Sequence, residues 1–390
     1  MKHLKLLIGL AGILFFIASC KKEDENPCDE TNQLKVNQLQ IIASHNSYRL
    51  RTYAPLYEKI WGLGPLLPPE FDPSGFDYEH PPLPEQFNDY GVRGIELDIY
   101  LDPVGGMFYN RMANLIIPEP VESGIPELLM PGIKILHVAD LDYMTNYLTF
   151  KAALQTLKDW SAAHPNHLPI FVNIETKTDG LLDYLAVEGA ADPLPFTPEA
   201  ADDMDAEVKA VFGTDLLGVI TPDEVRQSYS TLREAVINGM WPTLAQARGK
   251  IMFIIDGNSD FYKEGHPSFQ GRTMFAYENP DEPEAAFIIA NDPIGSLNNI
   301  KQWVTAGFIV RTRTDSDTEE ARTGDYSKMN AAFESGAQII STDYYRPDPR
   351  YLTDTAWTDF TVHFPNHELA RINSLSADSS YYQGCVLQEQ

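Results

Sequence analysis

A chain of 390 residues, 43% of them hydrophobic, has enough apolar material for a full core, in one large domain as readily as in two. Its 56 Asp and Glu against 29 Lys and Arg give a formal charge of −27 and a pI of about 4.6. Such a surface argues against general nucleic-acid binding and against purely electrostatic docking on anionic lipid, although a bound cation can reverse the charge locally and admit an anionic substrate.

At the N-terminus, Lys2, His3 and Lys5 precede an apolar run over 6–17 that is too short to span a bilayer in the usual way. Ile17-Ala18-Ser19-Cys20 then leads small residues up to a cysteine, the pattern of a bacterial lipoprotein signal. Residues 1–19 are expected as a signal peptide and Cys20 as the lipidated first residue. A secretory signal cut near Ala18 is the alternative. The run Lys21-Lys22-Glu23-Asp24-Glu25 resembles export signals of surface lipoproteins. The expected location is therefore a bacterial membrane, the outer one, with the cell surface as one option. Residues 20–37 are polar and read as a flexible tether. Cys28 and Cys385 sit near the two ends of the mature chain, either as a disulfide, which an exported protein permits, or as two free thiols.

Apolar runs of strand length follow at 39–44, 94–100, 133–137, 169–175, 250–256, 286–291, 308–312 and 338–342, rich in Ile and Val and bounded by turn residues. Helical periodicity lies between several of them, at 150–163, 198–212, 229–238, 294–305 and 318–335. Strand and helix alternating in this way predict a single α/β domain over 38–390, a TIM-type (β/α)₈ barrel. No Gly-rich phosphate fingerprint follows the first strand, which disfavours a doubly wound open sheet. The connections 47–93 and 176–249 are long and belong to the face where such barrels carry chemistry. The first holds Trp61, Leu66 and Leu67, an apolar segment that either packs over the mouth or contacts lipid.

The chemistry-bearing residues gather at the predicted strand ends. Glu96 and Asp98, two apart in a strand, share a face and point into the barrel if Ile95, Leu97 and Ile99 point out. Glu175 ends the fourth predicted strand and Asn46 follows the first. Asn46, Glu96, Asp98 and Glu175 make an all-oxygen set with no thiolate, which favours Ca²⁺ or Mg²⁺ over zinc. The competing reading is a structural salt-bridge cluster of Glu96 and Asp98 with Arg93 or Lys177. His45 and His137, at the ends of the first and third predicted strands, are placed for proton transfer or for hydrogen bonding to a phosphoryl oxygen. Arg311 and Arg313 share a face and suit a phosphate or polyol; an ion pair with Asp315 or Asp317 is the alternative, favoured for Arg313. Lys177 and Tyr344 are further substrate-contact candidates. Asp256, Asn291 and Asp343 end strands at the same mouth.

The segments Ser44-His45-Asn46-Ser-Tyr, Gly91-Val-Arg-Gly-Ile-Glu96-Leu-Asp98, Leu136-His137 and Asn173-Ile-Glu175 resemble the catalytic barrel of Ca²⁺-dependent, phosphatidylinositol-specific phospholipases C, the bacterial branch above all. So do His80-Pro-Pro-Leu-Pro-Glu-Gln, His137-Val-Ala-Asp140-Leu-Asp142, Val310-Arg311-Thr-Arg313-Thr-Asp315 and Ile340-Ser-Thr-Asp343-Tyr. The resemblance spans about 38–345. It implies a phosphodiesterase in which Asn46, Glu96, Asp98 and Glu175 ligate Ca²⁺ and Glu96 or Glu175 is the base. His45 would stabilise the phosphorane oxygen and His137 protonate the departing diacylglycerol oxygen, giving a cyclic inositol phosphate. The implied partner is a phospholipid at a membrane surface, with no protein partner. Glycerophosphodiester phosphodiesterases share the barrel, paired histidines and a Glu-x-Lys like Glu175-Thr-Lys177, but usually open with His-Arg-Gly where this chain has His45-Asn46-Ser47. A lipid- or glycan-binding surface lipoprotein without catalysis is a third reading, opposed by the presence of both histidines.

Overall fold

The computed structural model describes residues 26–63, 72–184 and 186–389. The expected signal peptide and Cys20 lie outside the described residues, as do Leu66 and Leu67. Ten strands are present among the described residues: β1 (Leu39–Ser44), β2 (Gly94–Tyr100), β3 (Lys134–Ile135), β4 (Ile170–Thr176), β5 (Ile251–Asp256), β6 (Phe275–Ala276), β7 (Phe287–Ile289), β8 (Ile309–Arg313), β9 (Ile339–Thr342) and β10 (Ala370–Ile372). All but β3 and β10 run parallel, in the order β6-β5-β4-β2-β1-β9-β8-β7. A parallel bridge between Tyr277 and Phe287 draws β6 towards β7, so the row curls into a nearly closed barrel.

The β1–β2 seam is narrow, a single pair of Ala43 with Gly94. Glycine is required there because a Cβ on residue 94 would lie 2.5 Å from the Ala43 Cβ. Outside the barrel, the helix Phe150–Ala163 is capped by Thr149, whose side chain accepts from the Ala152 amide. It buries Phe150, Ala153, Leu154, Leu157 and Trp160, an i, i+3, i+4 stripe against the strands. The expected helix over 318–335 is two, Glu319–Thr323 and Ser327–Ser335, divided where Gly324 takes a left-handed φ of 69°.

The barrel strands differ from expectation at one place. Residues 133–137 do not form a parallel strand: β3 is two residues long and pairs antiparallel with the end of β2, Ile99 facing Ile135 and Tyr100 facing Lys134. The eighth barrel position is filled instead by β6, two residues in register with Ile254 and Ile255. Chain direction explains the exchange. The loop after β2 turns back through 132 to lie on the strand it has just left, so it pairs antiparallel with the end of β2 rather than entering the ring.

Residues 27–37, expected within the flexible tether, are packed. Pro27–Gln33 and Val36–Gln38 are 3₁₀ turns, Leu34 and Val36 are buried in the main core, and Cys28 is disulfide-bonded to Cys385. Among the described residues no helix is long and apolar enough to cross a membrane.

Candidate active site

β2 and β4 bring three carboxylates together by register alone. Asp98 stands opposite Glu175 and Glu96 opposite Asn173, so the inward-facing alternation of β2 meets the end of β4. One oxygen from each of Glu96, Asp98 and Glu175 lies within 4.8 Å of the others. The turn after β1 is pinned beside them: the Ser47 amide donates to the Glu96 carbonyl at 3.0 Å, and the Glu96 amide donates to Ser47 Oγ at 2.8 Å. Asn46 holds a left-handed φ of 46° in that turn. Its Nδ2 donates to the Tyr78 hydroxyl at 2.9 Å, while its Oδ1 is buried without a hydrogen-bond partner.

This cluster has an unmet demand for positive charge. Both Asp98 oxygens are buried and meet no donor in good hydrogen-bond geometry, the Tyr48 hydroxyl being the nearby donor that weakly offsets their burial. Burial, with Glu175 adding to it, pushes the Asp98 carboxyl well above the usual range. Burial likewise drives Glu96 up to about 7 against the opposing pull of Arg311. Two cations supply part of the balance. Arg311 Nη2 lies 2.6 Å from Glu96 Oε2, and Lys177 Nζ lies 3.2 Å from Glu175, 3.3 Å from Asp179 and 4.0 Å from Asp98. Lys177 thus belongs to the acidic cluster, whereas Arg93 does not and bonds Glu389 instead. The orphaned oxygens of Asn46 and Asp98, beside Glu96 and Glu175, form an oxygen-only donor set that fits a hard divalent cation.

Each histidine is held by an aspartate. His45 Nδ1 lies 2.9 Å from Asp343 Oδ1 and 3.3 Å from the Tyr78 hydroxyl. Burial, then Arg313, lower its pKa to about 3, with Asp343 opposing. Asp343 is itself held below its usual range, because His45, His80 and Arg313 outweigh its burial. On the other side, His137 Nδ1 lies 2.7 Å from Asp142 Oδ2, and burial lowers this imidazole too. Asp142 also accepts from Arg49 Nε at 2.7 Å and from Thr52 Oγ1 at 2.6 Å. Burial pushes Asp142 up, but Arg49 and His137 outweigh it and hold the carboxyl at about 2. In both pairs the aspartate takes Nδ1, which leaves Nε2 as the working nitrogen.

The structure therefore brings Asn46, Glu96, Asp98, Glu175, Lys177, His45 and His137 to one end of the barrel, and corrects several other expectations. His137 rides on the segment after β3 rather than on a barrel strand. Arg311 is buried on Glu96, Asp256, Asn291 and Ser341, a countercharge to the acids rather than an open phosphate clamp. Arg313 pairs with Asp343 at 3.3 Å, not with Asp315 or Asp317. Tyr344 does not reach the mouth: Asp343 points in, so its neighbour points out, buried in the main core against Phe360. Asp343 serves His45, and Asp315 in turn accepts from the Asp343 amide and from Thr314 and Thr342.

Sequence reasoning missed the residues that support these groups. His80 Nε2 lies 2.8 Å from the His45 carbonyl, and its Nδ1 lies 3.0 Å from the Tyr345 hydroxyl. Gln86 bonds Ser44, Ser47 and Pro81, tying the same turn to the loop. Tyr78 and Arg49 complete the set. Of these only His80 and Gln86, which share one quoted motif, gave any signal, since partners as far apart as the 265 residues between His80 and Tyr345 leave no periodicity.

The family model described as "Phosphoinositide phospholipase C, Ca2+-dependent" matches residues 34–374. Among solved structures, the fold is similar to a calcium-dependent phosphoinositol-specific phospholipase C from Pseudomonas sp., at 16% identity and a TM-score of 0.51, covering 89% of this chain and 99% of that one. A Ca²⁺-dependent phosphatidylinositol-specific phospholipase C from Streptomyces antibioticus is 15% identical over 80% of this chain and 95% of its own, with a TM-score of 0.48. No match is found among curated proteins. The family match covers nearly the whole described barrel: this chain belongs to the Ca²⁺-dependent phosphoinositide phospholipases C, which are phosphoric diester hydrolases.

Proposed function

We propose that the protein cleaves phosphatidylinositol-type lipids to diacylglycerol and a cyclic inositol phosphate. Asn46, Glu96, Asp98 and Glu175 would hold Ca²⁺, which when bound supplies positive charge that acidifies the attacking 2-hydroxyl and screens the phosphate. Glu175, one-third exposed and less enclosed than Glu96, takes the proton from that hydroxyl. Asp343 fixes the His45 ring through Nδ1 and supports its protonation as the anionic phosphate binds, so that an Nε2–H donates to the non-bridging phosphoryl oxygen on which charge develops. Asp142 does the same for His137, and its negative charge supports the imidazolium that forms when His137 takes a proton from solvent on Nε2; that proton then goes to the departing glycerol oxygen, leaving the neutral ring. Lys177 and Arg311 balance the carboxylates before the anionic substrate arrives. Arg313, which pairs with Asp343, borders the phosphate. Lipidation at Cys20 would hold the enzyme at a bacterial outer membrane, next to its substrate.

The observation that carries this reading is the pairing of two His–Asp couples with an acidic cluster in which the buried oxygens of Asn46 and Asp98 lack partners. ³¹P NMR of phosphatidylinositol vesicles tests it. A cyclic phosphodiester resonance appears with Ca²⁺ and not with chelator, whereas turnover of glycerophosphoinositol without Ca²⁺ would replace this reading by a glycerophosphodiester phosphodiesterase. His137→Ala and His45→Ala each lower kcat by about 10²–10⁴-fold.

A further inference from the structure

His45 and His137 stand on separate segments, yet one buried side chain reaches the supports of both. Arg49 is fully buried. Its Nε donates to Asp142 Oδ2, the oxygen that also holds His137. Its Nη1 donates to the Tyr78 carbonyl at 2.6 Å, and its Nη2 to the Phe76 carbonyl at 2.6 Å and to Thr52 Oγ1 at 3.2 Å. The guanidinium also lies over the Tyr78 ring, 4.4 Å from its centroid. Tyr78 carries the connection onward, because its hydroxyl accepts from Asn46 Nδ2 and lies beside His45 Nδ1. With the amide nitrogen of Asn46 committed to Tyr78, its carbonyl oxygen is the end left without a partner. Phe76, the other clamped residue, meets the His137 ring edge-on at 5.4 Å.

We propose that Arg49 is a positioning residue that couples the leaving-group side of the site to the cation side. Through Asp142 it sets His137, and through Tyr78 it sets the Asn46 carbonyl and the His45 ring. This rests on the roles assigned above. A planar fork of donors is needed because the acceptors lie in different directions, which a single lysine ammonium cannot serve together. A buried guanidinium is also an expensive way to gain stability alone, since apolar packing does that as well or better.

The test uses the intact chain and three variants: Arg49→Lys; Thr52→Val, which removes the hydroxyl bonded to Asp142 and Arg49 on the leaving-group side; and Tyr78→Phe, which removes the hydroxyl that contacts Asn46 and His45 on the cation side. Ca²⁺ binding is read by calorimetry without substrate, kcat and KM on phosphatidylinositol micelles, and folding by thermal melting. Arg49→Lys should lower kcat by about 10- to 100-fold and weaken Ca²⁺ binding by a similar factor, with KM nearly unchanged. Thr52→Val should lower kcat and leave Ca²⁺ binding intact, whereas Tyr78→Phe should weaken Ca²⁺ binding. Arg49→Lys that folds and changes only one of the two readouts, or neither, overturns the coupling. If Arg49→Lys does not fold, Thr52→Val and Tyr78→Phe decide, and no effect in either refutes it. A wild type that binds no Ca²⁺ refutes the functional reading and the coupling with it, whereas a normal wild type beside an unchanged Arg49→Lys refutes the coupling alone.

Discussion

Asp142 accepts three hydrogen bonds, from His137, Arg49 and Thr52, while entirely buried, and its stability contribution depends on staying ionised. A folded-state pKa of about 2 lies below the ordinary aspartate value. Its stabilisation is therefore fully present above the unfolded-state pKa near 4 and is lost as pH falls from there through about 2. Urea unfolding of wild type and Asp142→Asn across that window should differ in slope by roughly 2–3 kcal/mol in total, the wild type losing more. Parallel curves would remove Asp142 from the acid sensitivity of the fold. Tyr344 makes the opposite case. Its hydroxyl is buried without a hydrogen-bond partner and away from the mouth, so Tyr344→Phe should leave kcat and KM unchanged and alter stability by less than about 1 kcal/mol. A large rise in KM would restore it to the substrate surface.

At the scale of elements, the site depends on how closely β1 approaches β2. The single Ala43–Gly94 pair brings the turn bearing Asn46 to Glu96, where Ser47 bonds both backbone groups of that residue. Gly94→Val forces a side chain into the Ala43 Cβ, and overpacking of this kind costs about 1–3 kcal/mol. The urea midpoint should fall accordingly, and Ca²⁺ affinity should fall with it as Asn46 is pushed from the carboxylates; unchanged affinity would show the seam is not what aligns them. The strands that place the carboxylates were legible because β2, β4 and β5 are long, buried on both faces and rich in branched residues. β6 was not, since two residues carry no period. The segment 133–137 was misread for the converse reason: buried apolar residues look alike whether they join a barrel or lie back against one of its strands. Glu96, Asp98 and Glu175 followed from alternation and strand ends; the Asp343–His45 pair follows from the β1–β9 register, Ser44 facing Thr342, and Tyr78 and Arg49 arise from loop geometry, neither of which a local pattern encodes.

Across the whole molecule, chemistry and closure occupy opposite ends. The histidines and carboxylates follow the C-terminal ends of the barrel strands, whereas the first and last described segments gather where the strands begin. Residues 27–38 lead into β1, and Glu389 bonds Arg93, which precedes β2, and the Leu168 amide, which precedes β4. The Cys28–Cys385 disulfide joins these two segments across 357 residues of sequence, at a Cα separation of 5.1 Å. Cross-linking so long a loop restricts the unfolded chain strongly, and losing such a bond typically costs about 2–5 kcal/mol. The double variant Cys28→Ser/Cys385→Ser should therefore unfold at lower urea by that amount, while kcat and Ca²⁺ affinity at 25 °C remain those of wild type, because the seams that align the site are intact. Equal stability of the oxidised and serine forms would mean that the core contacts of Leu34 and Val36 already hold the terminus, leaving the disulfide little to add. A loss of activity without a loss of stability would be stranger, since it would require the base of the barrel to act on the mouth through strands that have not moved.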